Sequence, residues 1–241
     1  HPQDPDNFWW RWVTSLTEAA ASRWGKAVSL SKTDLGGNLD ILASLRGAQD
    51  LLLDLSISPD QVLDWVKKIT DRWWGYFQFL DRITSRSAPG CTCWAPMWCP
   101  GQYYMLQSDL SYMISPQMFA QYVMPDLETH CGNLDYSFYH LDGKGQLNHL
   151  EFLLNMPALD GIQWVPGAGA PPAEEWLDVL HRIRAAGKLC QVYVDAAGAL
   201  KIARELGPKG FTLMVSPPPP EEEIPGFLAE LRAFAPGKFH G

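Results

Sequence analysis

Along the second half of the chain, short apolar or aromatic runs alternate with longer stretches whose apolar residues recur every three or four positions. The runs "DYSFYHLDG", "DGIQWVPG", "LCQVYVD" and "FTLMVS" carry the β-branched and aromatic residues that suit strands. Between and after them, "PAEEWLDVLHRIRAAG" and "AAGALKIAREL" have the spacing of amphipathic helices. Strands alternating with such helices form βαβ units, which predict a parallel sheet covered by helices.

The first half is more irregular. "NFWWRWVTSLTEAAASRW", from residue 7 to 24, predicts an aromatic-rich helix, and "KAVSLSKTDLGG" then predicts a strand ending in a glycine-rich loop. In "SPDQVLDWVKKITDRWWGYFQFL", Ser58 stands at the N-cap and Pro59 at the first helical position. Val62, Trp65, Val66, Ile69 and Trp73 then repeat at helical spacing. "SPQMFAQYVMPDLETHC" repeats the device with Ser115 and Pro116, and Pro125 within it predicts a bend or a division. With "AVSLSKT", "CTCWAPMW" and "YYMLQSD" as further strands the total is about six or seven, one or two short of the eight in a closed (β/α)8 barrel. The expected fold is therefore α/β, a TIM-type barrel that is incomplete or truncated at its N-terminus, with residues 1–241 as a single domain. "SPPPPEEEIPGF" predicts a stiff connector before a last helix.

Composition narrows the partners. A formal net charge of -8, with acids scattered among the 241 residues, supplies no basic stripe for nucleic acid. No stretch approaches the roughly 20 apolar residues of a membrane-spanning helix, so a soluble, cytoplasmic protein is expected. The five cysteines (Cys91, Cys93, Cys99, Cys131 and Cys190) are odd in number and sparse, which favours buried reduced thiols over bridges. Cys91, Cys93 and Cys99 also lack a standard zinc spacing. A start at His1, without Met or a signal-peptide core, suggests a trimmed N-terminus.

In a parallel barrel, reactive groups sit at the carboxyl ends of strands, where the loops converge. That rule selects Asp34 and Asn38, Gln107 and Asp109, His140 and Asp142, Gln163 and Trp164, Tyr193 and Asp195, and Ser216. His140 and Asp142 are the sharpest pair, because residues two apart on a strand share a face and can bring imidazole and carboxylate to one pocket. Proton transfer or metal ligation would each use that spacing, as would a "DG" turn beside a hydrogen-bonded histidine. Asp34 in "TDLGGN" and Asp109 in "QSDLSYMISP" are placed either as pocket acids or as partners of turn amides. Trp164 is read as a stacking platform or as core, and Trp94, Met97, Trp98, Tyr103 and Tyr104 as the wall of a cavity for a large apolar or macrocyclic ligand or as packing. His149 and Glu151 at the start of "HLEFLLNM" suit helix capping, and His130 and His181 read as ordinary helix residues.

Three segments, "LDILASLRGAQDLLLDLSISPDQVLDWV", "LQSDLSYMISPQMFAQYVMPDLE" and "YHLDGKGQLNHLEFLLNMPALDGIQWVPG", resemble the uroporphyrinogen decarboxylase superfamily, which includes the corrinoid-dependent methyltransferases. The likeness runs from about Asp34 to Phe234 in spaced patterns. It implies a longer (β/α)8 barrel whose N-terminal segment, the bearer of the decarboxylases' arginine-rich motif, is absent here. In the methyltransferases it implies zinc bound by a His-x-Cys-Gly element and a later Cys. His140 matches that histidine; Asp142 stands at the cysteine, and "GFTLMVSPPPP" has no cysteine, so the resemblance carries over a harder N/O donor pair.

The resemblance implies a methyltransferase-like enzyme that works with a corrinoid (cobalamin) carried by a partner protein, with or without zinc at His140 and Asp142, on a small methylated compound. The alternatives are a tetrapyrrole decarboxylase (a lyase) using Asp34 or Asp109, and a non-catalytic binding subunit whose open sheet edges would be covered by a partner or a second copy in a homo-oligomer.

Overall fold

The computed structural model describes residues 6–86 and 88–234; His1, on which the trimmed start was read, lies outside them. The residues that stand before the helices of the first half do different work. Asn7 caps helix α1 (Phe8–Trp24), its side chain accepting from the Trp10 N–H at 3.0 Å. Gly37 precedes α2 (Asn38–Arg46), and Gly47 lies between α2 and α3 (Ala48–Ile57). Ser58 precedes α4 (Pro59–Thr84) but makes no side-chain cap bond, so Pro59 alone marks that start.

The buried face of α4 includes Val62, Val66, Thr70, Trp73, Phe77 and Leu80, at the three-and-four spacing of one helical stripe. Trp65 and Ile69, expected on that stripe, are only half-buried. Thr70 takes the buried position because its hydroxyl has partners: it donates to the Val66 carbonyl at 3.0 Å and meets Asp126 Oδ1.

The expected strand "AVSLSKT" is reduced to one bridge, Ser31 to Thr92. Its physical reason is Lys32, whose side chain is buried and pairs with Asp81 at 2.7 Å, so the segment is anchored by an ion pair and not by a ladder. "CTCWAPMW" is two strands rather than one. β1 (Cys91–Thr92) and β2 (Trp98–Cys99) pair antiparallel, Cys91 opposite Cys99, with Pro96 unable to donate in the turn between them. β3 (Tyr103–Leu106) follows and is buried throughout. Ser115 caps α5 (Pro116–Tyr122) by accepting from Met118 N–H at 3.2 Å, and the helix divides from α6 (Met124–Asn133) next to Pro125, as the sequence predicts. All five cysteines are buried and unbridged.

The chain forms two compact units, His1–Ser137 and Phe138–Gly241. Strand β4 (Tyr136–Asp142) begins in the first, where Asp135 and Tyr136 N–H both reach the Gln102 carbonyl ahead of β3. It continues in the second with β5 (Gly161–Val165), β6 (Leu189–Val194) and β7 (Phe211–Val215), each parallel to the one before. Counted along β4, the parallel sheet has five strands in chain order. That makes the fold α/β, with helices between strands as the alternating pattern predicts.

In the second unit, α7 (Leu150–Leu154), α8 (Leu177–Ala185) and α9 (Ala196–Leu206) fill the connections, and α10 (Ile224–Ala233) follows β7. α8 buries Val179, Leu180 and Ile183, and α9 buries Ala199, Ile202 and Ala203. The buried Lys188 ammonium donates to the Met156 and Leu159 carbonyls, at 2.5 and 2.7 Å, tying the approach to β6 to the turn before β5. His149, expected to cap, is fully buried, and Glu151 pairs with Arg182 at 2.5 Å.

Candidate functional site

The second unit carries the pair singled out by spacing. On β4, alternation puts Phe138, His140 and Asp142 on one face, and a ring nitrogen of His140 and a carboxylate oxygen of Asp142 lie within 4.8 Å of one another. Register then extends the face sideways: His140 is opposite Gln163, Gln163 opposite Gln191, and Gln191 opposite Thr212. A polar row thus crosses four strands at positions where apolar packing is the usual filling.

The row is hydrogen-bonded in a definite sense. Gln163 Nε2 donates to Gln191 Oε1 at 3.1 Å, which turns Gln163 Oε1 toward His140 Nδ1. A carbonyl oxygen only accepts, so with Gln163 in this orientation a neutral His140 carries its proton on Nδ1 and presents Nε2 as the lone-pair nitrogen. At the other end, Gln191 Nε2 is buried and has no hydrogen-bond partner among the described residues. Gln191 was not among the expected site residues, although alternation in "LCQVYVD" places it on one face with Tyr193.

The first unit holds the other expected acids. Asp34 is exposed, and its carboxylate accepts from Gly36 N–H at 2.8 Å, the Tyr104 hydroxyl at 3.2 Å and Gln107 Nε2 at 3.3 Å. The Tyr104 oxygen in turn accepts from Leu35 N–H at 2.6 Å. Burial pushes the Tyr104 hydroxyl well above its ordinary value, and the adjacent Asp34 charge adds to that, so it stays a donor. The glycines explain the loop. Gly36 has φ +71, and a Cβ on Gly37 would stand 1.9 Å from the Gln107 carbonyl oxygen, so only glycine lets the loop pass that strand end.

Asp40, which the sequence reading passed over, accepts from Asp109 N–H at 2.9 Å and Leu110 N–H at 2.8 Å. Its carboxyl lies above the usual carboxylate value, chiefly because it is desolvated; the Asp34 charge pushes the same way, and the backbone N–H bonds oppose the shift. Asp109 therefore enters the cluster through its backbone, with its residue exposed at the start of the 3-10 turn Asp109–Met113. An aromatic-walled cavity of about 550 Å³ opens beside Asp34.

Several expected binding residues are placed elsewhere. Trp164 is fully buried, on the opposite face of β5 from Gln163, with its ring 5.3 Å from that of Trp176, so it is core and not a platform. The same alternation that puts Gln163 on the His140 face forces this. Asp195 caps α9, its Oδ1 accepting from Gly198 N–H at 2.7 Å. Trp98 is 55% exposed, its indole donating to the Pro89 carbonyl, while Trp94 donates to the Met105 carbonyl. Both indoles are thus bonded to backbone carbonyls, and Tyr104 is fully buried with its hydroxyl on Asp34. Tyr193 is 44% exposed, two residues beyond Gln191.

His130 is a buried helix residue with more around it than its sequence suggested. Its Nε2 lies 3.1 Å from Asp126 Oδ1 but out of line for a hydrogen bond, and Trp73 covers the ring at 4.3 Å.

As for a metal, His140 and Asp142 would offer one nitrogen and one oxygen donor in place of thiolate, against the three protein ligands that a catalytic zinc takes. No family model, no curated protein and no solved structure matches this chain. No helix among the described residues is long and apolar enough to cross a membrane.

Proposed function

We infer that the chain is a uroporphyrinogen decarboxylase-superfamily enzyme of the methyltransferase-like kind, acting on a small methylated compound with a corrinoid carried by a partner protein. The observation that carries this is the side-by-side placement of His140 and Asp142 on one face of β4, with Gln163 holding the imidazole by Nδ1. The corrinoid would supply the centre that takes or gives the methyl group. His140 then moves, through Nε2, the proton that the demethylated or methyl-accepting heteroatom gains or loses, and the Asp142 carboxylate stabilises the imidazolium form. A zinc ion held by the same two side chains would compete with that proton role, so metal content separates the two versions.

The test is elemental analysis of the purified protein, together with loss of the methylcobalamin absorbance in the presence of thiol and amine acceptors. Wild type is compared with His140→Ala. Protein-dependent loss that falls at least about 100-fold in the variant is the expected result, the usual size of a lost acid/base contribution. No protein-dependent loss, or equal rates in both proteins, contradicts the reading.

A further inference from the structure

The cavity beside Asp34 lies wholly within the first unit, and the chemistry of its wall is mixed in a specific way. Trp9 and Trp10 from α1, with Trp73 and Tyr76 from α4, make much of it aromatic; Asp34 contributes a carboxylate and Arg72 a guanidinium. At about 550 Å³ it is of the size that takes small organic ligands.

Its parts are held in place. Trp10 meets Tyr76 edge-on at 5.0 Å, and Trp73 donates its indole N–H to the Gly36 carbonyl at 3.1 Å, fixing the loop that carries Asp34. The Asp34 carboxylate is oriented by Gly36, Tyr104 and Gln107, so it does not have to be ordered by a ligand. Its negative field is reinforced by Asp40, close enough for the two charges to interact.

Aromatic faces and a fixed carboxylate attract an organic cation, the rings through their quadrupoles and the acid through its charge. An anion or a phosphate would meet the wrong sign at Asp34, and a bare metal ion would be poorly matched to indole walls. Arg72 on the same cavity would repel a ligand that was cationic only. A ligand with an alkylated ammonium at one end and a carboxylate at the other satisfies both charges and uses the aromatic surface between them.

We propose that this cavity binds a small betaine-type zwitterion, its methylated ammonium against Asp34 and the tryptophans and its carboxylate against Arg72. The site stands independently of the methyl-transfer reading, since its residues belong to the first unit and it requires no corrinoid.

The experiment is calorimetric titration of the purified chain, with tryptophan fluorescence as a second readout. Three probes are compared: glycine betaine, its uncharged-headed isostere 3,3-dimethylbutanoate, and choline, which keeps the cation and lacks the carboxylate. The proposal expects saturable binding of glycine betaine, weakened about tenfold in 3,3-dimethylbutanoate, where shape is kept and the cationic attraction is lost. Choline should bind more weakly than glycine betaine to wild type, and Arg72→Gln should bring the two together. Asp34→Asn should weaken glycine betaine and leave 3,3-dimethylbutanoate unchanged. Equal binding of glycine betaine and 3,3-dimethylbutanoate would reduce the site to an apolar cleft and overturn the proposal, as would choline binding as tightly as glycine betaine. Absence of saturable binding by glycine betaine would overturn it too. Because the probes themselves differ by single groups, these outcomes do not depend on any variant folding.

Discussion

The first unit buries an ion pair, and the second a row of neutral amides. In the first, Lys32 is buried against Asp81 at 2.7 Å and donates to the Cys91 sulfur at 2.9 Å, with Gln102 closing on the other Asp81 oxygen at 2.8 Å. In the second, the buried row beside His140 is made of amides, Gln163 and Gln191, bonded to each other. The difference decides how each tolerates loss. An ion pair stripped of one member leaves a charge in a poor solvent, whereas amides removed together leave only space to fill.

The largest effect should come from breaking the ionic side. Lys32→Met keeps the buried volume but strands Asp81, and urea unfolding should show about 3 kcal/mol or more lost, the usual cost of unpairing a buried charge. A loss below about 1 kcal/mol would mean that Asp81 is solvated well enough for the pair to count as a surface one. Next in size is the neutral side. Gln163→Leu alone should cost about 1 to 3 kcal/mol, because it deprives both Gln191 and His140 of a partner. Adding Gln191→Leu should recover the part of that loss due to Gln191, and strict additivity of the two changes would show that the amides are not coupled.

The smallest effect is electrostatic and returns to the acids of the first unit. Asp40 titrates above its ordinary value of 3.8 through desolvation first, with the Asp34 charge among the lesser causes, so Asp34→Asn should move the Asp40 titration down toward that value in carboxyl NMR. Because the folded value is raised, protonation of Asp40 favours the folded state. That contribution is complete below about pH 3.8 and is lost as pH rises through the folded value. A stability difference between wild type and Asp40→Asn that grew in the opposite direction would reverse the assigned cause.

The two units also differed in how far they could be read in advance. β4 to β7 and their helices follow from alternation and helical spacing, because each strand there is flanked by a helix that needs one apolar face. The same alternation fixes Gln163 on the His140 face and Trp164 away from it, so treating both as site residues counted two faces as one. "AVSLSKT" misled because its apolar residues, Ala27, Val28 and Leu30, lead up to Lys32, whose partner Asp81 lies far along the chain in α4. Asp34 was legible from its glycines, but the Gly37 and Gln107 contact that explains them joins segments 70 residues apart in sequence. The roles of Asp40 and Gln191 likewise depend on partners that no local spacing reveals.

The account turns on which nitrogen of His140 is left to work, and ¹⁵N-edited NMR of the imidazole rings, at a pH where His140 is neutral, measures that directly. His140→Gln assigns the signal, and Gln163→Glu and Gln163→Leu bracket the acceptor. The polar row predicts a His140 signal of the Nδ1–H form in wild type, retained in Gln163→Glu and shifted toward the Nε2–H form in Gln163→Leu. A wild-type ring already in the Nε2–H form would contradict it, leaving Gln163 as the donor and Nε2 without the lone pair that the proposed proton transfer requires.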